Sequence, residues 1–242
     1  MDSLFIVSLP RSLSSLVYQL SCKALALKQP SWTSDGEIMN VDRYLLYPGP
    51  RVDTSIKFVA KKNSPKIFRS ATDYLDQVTM KTGFGYKDVV HPFVMSAWLE
   101  CNSFPVLRIK RCIADVAYSM LERKWYYPRI AADTQNTLEQ AVIEGLIRAD
   151  EALDRVQAEC VDYEELIYDQ APLTSALARL YPRQEIAELN YLNHSFAQMR
   201  ARILERRSTV GYKRLKAVVD ETSLATSSFR HQTGGLEILQ PI

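Results

Sequence analysis

Leu4-Phe5-Ile6-Val7-Ser8-Leu9-Pro10-Arg11-Ser12-Leu13-Ser14-Ser15-Leu16-Val17-Tyr18-Gln19-Leu20 is the stretch whose reading decides the fold. An apolar run, Leu4 to Val7, enters a polar loop and leaves it as a helix-like segment, Leu16 to Leu20. The order is strand, anion-binding loop, helix. Such a junction aims the helix's first N–H groups, which have no intrahelical partner, and the positive end of its dipole at one point. Arg11 and the hydroxyls of Ser12, Ser14 and Ser15 gather there, which suits a phosphate or sulfate group. The same residues also fit a plainer reading, a strand turning into a helix with Ser12 or Ser14 as N-cap. The Walker pattern G-x-x-x-x-G-K-S/T is absent, because no Gly precedes Gly36 and no Lys precedes Lys23. That disfavours an ordinary ATPase or GTPase.

The chain has 242 residues, 47% of them apolar, enough to bury the core of a single α/β domain. Its formal charge of +2 supplies no global basic field for nucleic acid, so local clusters must carry any anion binding. Cys22, Cys101, Cys112 and Cys160 form no C-x-x-C, and only three histidines accompany them. A reducing compartment and no metal site are expected. No apolar run approaches a membrane span and no signal-like segment is evident, so the expectation is a soluble, cytoplasmic protein without membrane or nucleic-acid partners.

A first helix is expected to end near Gln29, followed by loops with short strands from Ser31 to Lys66. Helical spacing returns over Arg69–Met80 and again from Phe93 to Leu99, after Pro92. Pro105–Lys110 alternates as a strand, with Arg108 and Lys110 at solvent-facing or edge positions. Ile113–Lys124 places Ile113, Val116, Ala117, Met120 and Leu121 on one helical face. A helix over Thr137–Gln157, a short strand over Glu159–Tyr163, and helices over Leu173–Leu180 and Ile186–Glu205 complete the pattern. Strands separated by helices predict a three-layer α/β sandwich with a central parallel sheet flanked by helices. Residues 1–220 form one domain in this reading, and 221–242 a polar C-terminal tail.

Taken together, Pro10-Arg11-Ser12-Leu13-Ser14-Ser15 and the later Arg111-x-x-x-Asp115-x-x-x-Ser119 resemble the sulfotransferase family. In that family a Pro-Arg/Lys-Ser loop after the first strand grips the 5′-phosphosulfate of 3′-phosphoadenosine-5′-phosphosulfate (PAPS). An R-x-P-x-D-x-x-x-S segment there supplies Arg and Ser to the 3′-phosphate. Tyr163-Glu164-Glu165-Leu166 is similar to the family's strand-ending Y-E-D-L, and Arg206-Arg207-Ser208-Thr209-Val210-Gly211 to its R-K-G-x-x-G clamp. The matches run in family order. Leu13 stands at the usual Gly position, Ile113 at the usual Pro and Ser208 at the first Gly of the clamp.

The resemblance implies sulfuryl transfer from PAPS to a hydroxyl or amine, without metal. It assigns Arg11 to the oxygens around the sulfuryl group, and Ser12, Leu13, Ser14 and Ser15 to the 5′-phosphate. Arg111, Ser119, Arg206 and Arg207 fall to the 3′-phosphate. Arg is always charged and offers a planar fork, so Arg11 can stand where many relatives carry Lys. Asp115 caps or braces its helix.

The acceptor must lose a proton, so a base is required within hydrogen-bond reach. Glu37 resembles the glutamate base of members acting on tyrosines or glycans, and His91 the base of small-molecule members. An unperturbed His is poised near neutral pH whereas a Glu needs desolvation, so chemistry favours His91 and loop context Glu37. Trp125-Tyr126-Tyr127 suits a pocket wall, and Trp98 the core. The acceptor is a small molecule, glycan or peptide, and a homo-oligomer is compatible with the helical C-terminal part. The alternative function is a non-catalytic nucleotide-binding or assembly protein of the same fold.

Overall fold

Every residue of β1 (Leu4–Ser8) is buried, because the strand lies inside a parallel sheet between β2 (Gly85–Asp88) and β3 (Val106–Lys110). A fourth strand, β4 (Glu159–Asp162), extends the sheet beyond β3. The computed structural model describes residues 1–46, 54–133, 137–192 and 194–232; among these the strand order is β2-β1-β3-β4. Phe5 stands opposite Tyr86 on one side and Val106 on the other.

Side chains of a strand alternate between faces, and here both faces are covered. Phe5 and Val7 enter a core with α2 (Pro65–Val78), α3 (Pro92–Glu100), α4 (Ile113–Glu122), α5 (Leu138–Leu153) and the first turns of α9 (Val210–Gln232). Leu4 and Ile6 enter a second core with α1 (Ser14–Ala24), α6 (Tyr163–Leu166), α7 (Ala171–Leu180) and α8 (His194–Ser208). This is the expected three-layer α/β arrangement. A continuous apolar run was therefore the right signature for β1.

Local chemistry explains the boundaries. Pro65 and Pro92 open α2 and α3, where a missing N–H costs nothing. Thr137 and Gln140 form a reciprocal capping box at the start of α5. The first helix stops at Ala24, short of Gln29, because Ala26 turns left-handed (φ 52°) and the Leu27 N–H closes back on the Cys22 carbonyl at 2.9 Å.

Several expectations are corrected. β2 was not anticipated, since its Lys87 and Asp88 are ionisable yet buried. Residues 186–192 are not helical; Leu189 and Tyr191 pack into the second core and α8 begins at His194. The segment expected as a tail from Glu221 continues α9 to Gln232, and its remainder, 233–242, lies outside the described residues. Tyr212, Leu215 and Val219, spaced along one face, anchor this helix in the first core. Arg108 faces neither solvent nor a sheet edge: its guanidinium is buried on Asp150 (2.6 Å) and Asp154 (2.5 Å) of the α5 end. No described helix is long and apolar enough to cross a membrane.

Candidate active site

The carboxyl ends of all four strands open on one cleft of about 970 Å³. Pro10 to Leu16 follow β1, Val89 and Val90 follow β2, Arg111 follows β3 and Tyr163 follows β4. Open α/β sheets bind ligands at this edge, where connections leave a central strand in opposite directions. The order β2-β1-β3-β4 puts β1 at that divide.

The loop after β1 is wound by two left-handed residues, Arg11 (φ 67°) and Leu13 (φ 59°). A non-glycine residue pays roughly 1–2 kcal/mol for this conformation. Leu13 thus keeps the backbone form that Gly adopts freely. It also occupies the N-cap of α1, and no side chain caps the helix. This removes the plainer reading of a serine-capped turn. Ser12 Oγ is buried without a hydrogen-bond partner among the described residues, and the first-turn N–H groups point to the cleft end of the strand. We expect Leu13→Val, whose branched Cβ tolerates φ > 0 poorly, to diminish any nucleotide-induced rise in melting temperature, and Leu13→Gly to preserve it. Thermal denaturation with and without nucleotide measures both.

Arginines converge on this loop. Arg11 donates through Nε to Ser119 Oγ at 3.2 Å and lies 5.7 Å from the centroid of Trp125. Arg111 stacks on Tyr163 at 4.0 Å and donates to the Arg11 carbonyl. Arg123 shares the Trp125 ring, and Arg206 lies over Tyr118 with Glu122 at 3.7 Å. Aromatic faces hold cations in place without neutralising them. Burial, then Arg123, Arg111 and Arg206, push the Arg11 guanidinium below the ordinary arginine range. Arg111 Nε is buried without a partner among the described residues. This donor set fits a multiply charged anion.

Glu37 reaches the cleft from the sheet margin. Residues 36–38 form one parallel bridge to β2, with the Lys87 N–H on the Gly36 carbonyl (2.8 Å) and the Ile38 N–H on the Lys87 carbonyl (3.2 Å). Gly36 is left-handed (φ 68°), and a Cβ there would stand 2.3 Å from the Tyr18 ring, so only Gly fits. The Glu37 carboxylate is nearly buried and accepts from Lys87 Nζ (3.0 Å) and Asn40 Nδ2 (2.5 Å), with Arg43 Nε at 4.0 Å. Desolvation pushes the Lys87 ammonium below the usual lysine range, and Glu37 opposes that shift.

His91 is not brought to this cleft. It is fully buried, its Nε2 faces the Thr54 carbonyl at 3.0 Å and its Nδ1 faces Asp88 Oδ2 at 3.3 Å. A carbonyl only accepts, so Nε2 must carry a hydrogen and cannot take a proton. Arg207 also lies outside the cleft: it bonds fully buried Asp115 and, at 2.6 Å, Glu164, and the Asp115 hydrogen bond raises its pKa. Asp115 is therefore a brace. Of the clamp-like pair, Arg206 lines the cleft and Arg207 ties α8 to α4 and α6. The Ser15 hydroxyl lines the cleft but donates to Asp35 Oδ2 at 3.3 Å.

The structure also supplies residues the sequence reading missed. Arg123, the C-cap of α4, lies one helical turn after Ser119, a spacing that could have revealed it. Arg202, one turn before Arg206, also lines the cleft. Lys87 carried no periodic signal. Trp125 and Tyr127 form cleft wall as expected, whereas Trp98 is core, its Nε1 on Asp76 at 2.7 Å.

No protein-family model matches the chain, and no curated protein matches it. Among solved structures, the chain is similar to the "Sulfotransferase Domain from the Curacin Biosynthetic Pathway", with a TM-score of 0.42 and 10% identity over 84% of this chain and 98% of that chain.

Proposed function

We propose that this chain is a sulfotransferase that takes PAPS as donor and transfers its sulfuryl group to the hydroxyl or amine of a small molecule, glycan or peptide. The observation that carries this reading is the convergence of Arg11, Arg111, Arg123 and Arg206 on an uncapped strand–loop–helix junction, with Glu37 in the same cleft. Two buried donors without partners among the described residues, Ser12 Oγ and Arg111 Nε, stand in the expected phosphate-binding segments. The volume is near the top of the ~300–1,000 Å³ range of small-molecule sites, which suits a donor and an acceptor side by side.

In this reading the loop N–H groups and Ser12 bind the 5′-phosphate, while Arg111, Ser119 and Arg206 bind the 3′-phosphate. Arg11 lies between them and meets the negative charge that builds on the transferring group. The acceptor oxygen or nitrogen forms a bond to sulfur as the bond from sulfur to the 5′-phosphate oxygen breaks. Glu37 receives the acceptor's proton, and adenosine 3′,5′-bisphosphate leaves. Catalysis of this kind is largely positioning and electrostatics.

The test compares adenosine 3′,5′-bisphosphate with AMP in thermal denaturation. At a hundredfold excess over Kd a ligand adds about 2.7 kcal/mol, which for a chain of this size raises Tm by roughly 5–10 °C. The bisphosphate is expected to do so and AMP to do far less. Equal responses to both, or none, overturn the proposal.

A further inference from the structure

The side chain of Lys87 is completely buried, yet it touches both halves of the cleft. Its Nζ donates to Ser15 Oγ at 2.8 Å, in the first turn of α1, and to Glu37 Oε1 at 3.0 Å, on the sheet margin. Ser15 in turn donates to Asp35 Oδ2 at 3.3 Å, and Asn40 holds the other Glu37 oxygen. One chain of hydrogen bonds therefore joins the anion loop to the base.

Resting on the transferase reading above, we infer that Lys87 is a positioning residue that couples proton uptake by Glu37 to anion binding at the loop after β1. In the resting site the carboxylate is the ammonium's counter-ion. A buried ion pair is tolerable only while both partners are present. When Glu37 accepts the acceptor's proton, the pair becomes a neutral acid and a cation whose remaining counter-charge is Asp35, reached through Ser15. Lys87 keeps its own proton throughout, and its charge, released from Glu37, acts on the first turn of α1 beside the loop that receives the 5′-phosphate. The 5′-phosphate oxygen gains negative charge in the same step, as its bond to sulfur breaks. Positive charge thus becomes available where and when negative charge forms, an interaction stronger in the transition state than in the ground state.

The groups that face Lys87 are Glu37 and Asp35 from the 34–38 segment, Ser15 from α1, and Arg43 from the turn beyond. Desolvation lowers the Lys87 pKa, Glu37 and Asp35 raise it, and Arg43 lowers it. Both an added anion and the loss of Glu37 must therefore move its titration, in opposite directions.

Two readouts test this. In steady-state kinetics Lys87→Met is expected to lower kcat about 100-fold while the Kd of adenosine 3′,5′-bisphosphate stays within about threefold, and Lys87→Arg to recover part of the rate. Parallel loss of kcat and nucleotide affinity, or an unchanged kcat, overturns the inference. In NMR of protein labelled at lysine Cε, with Lys87 assigned by its loss in Lys87→Met, the Lys87 titration is expected to move to lower pH in Glu37→Gln and to higher pH with bound bisphosphate. An unmoved titration in Glu37→Gln overturns the coupling and needs neither nucleotide nor turnover. Failure of the unmodified protein to bind the bisphosphate overturns the transferase reading instead. Should Lys87→Met fold poorly because Glu37 is left unpaired, the Lys87→Met/Glu37→Gln double variant restores a neutral pair; a kcat close to that of Glu37→Gln supports the coupling, and a further loss of about 100-fold, as for independent residues, or a higher kcat overturns it.

Discussion

Glu37→Gln is expected to reduce turnover by about 10²–10⁴-fold, the usual contribution of a positioned general base. Nucleotide affinity is expected to persist, because Glu37 lies outside the arginine cluster and contacts Lys87 and Asn40 instead. The substitution has a second cost. It removes the counter-ion of a fully buried lysine, and breaking such a pair commonly destabilises a protein by about 3–5 kcal/mol. Rates must therefore be expressed per folded molecule, with circular dichroism as the check. His91→Asn supplies the contrast. It disturbs the Thr54 and Asp88 contacts, so melting temperature should fall while the folded fraction keeps its turnover. Loss of turnover in His91→Asn with retention in Glu37→Gln would exchange the two roles.

Arg111→Ala should have the next largest effect, on binding. Charge-assisted hydrogen bonds are worth about 1.5–3 kcal/mol each, so losing one forked guanidinium should weaken adenosine 3′,5′-bisphosphate by about 10–200-fold. AMP, which lacks the 3′-phosphate, should be affected little. Isothermal titration of both nucleotides separates a specific contact from general loss of charge. Arg111→Lys keeps the charge without the fork and should fall between the two. The stacked Tyr163 ring and the Arg11 carbonyl both depend on Arg111. A uniform loss for both nucleotides would assign Arg111 to support of the loop rather than to the 3′-phosphate.

What the sequence revealed, and what it hid, follows from how local each signal is. β1, its loop and the strand leading to Arg111 were readable because an apolar run followed by Pro, Arg and Ser encodes a junction in adjacent residues. β2 was hidden because Lys87 and Asp88 break the apolar pattern of a buried strand; Lys87 is buried on Glu37 and Ser15, far back along the chain, and Asp88 on the N–H groups of Val90 and His91 just after it. Whether His91 reaches the cleft was equally illegible. It turns on whether the carbonyl of Thr54 lies against the imidazole, which no spacing near His91 encodes. α9 misled for the opposite reason: a helix needing only Tyr212, Leu215 and Val219 for anchorage can otherwise be rich in Ser, Thr and Lys. Arg206 and Arg207 are adjacent, and helical geometry sends neighbours to different partners.

The single bridge that hangs residues 36–38 on β2 gives Glu37 a mechanical support separate from that of the arginine cluster. Arg11 and Arg111 follow the interior strands β1 and β3, which are braced on both faces by the hydrophobic cores. Glu37 rides on a margin fixed by a few backbone hydrogen bonds, one glycine and the side chains of Lys87 and Asn40. In the proposed reading, substitutions confined to the margin would therefore change the base and the acceptor it serves while the arginine cluster stays in place.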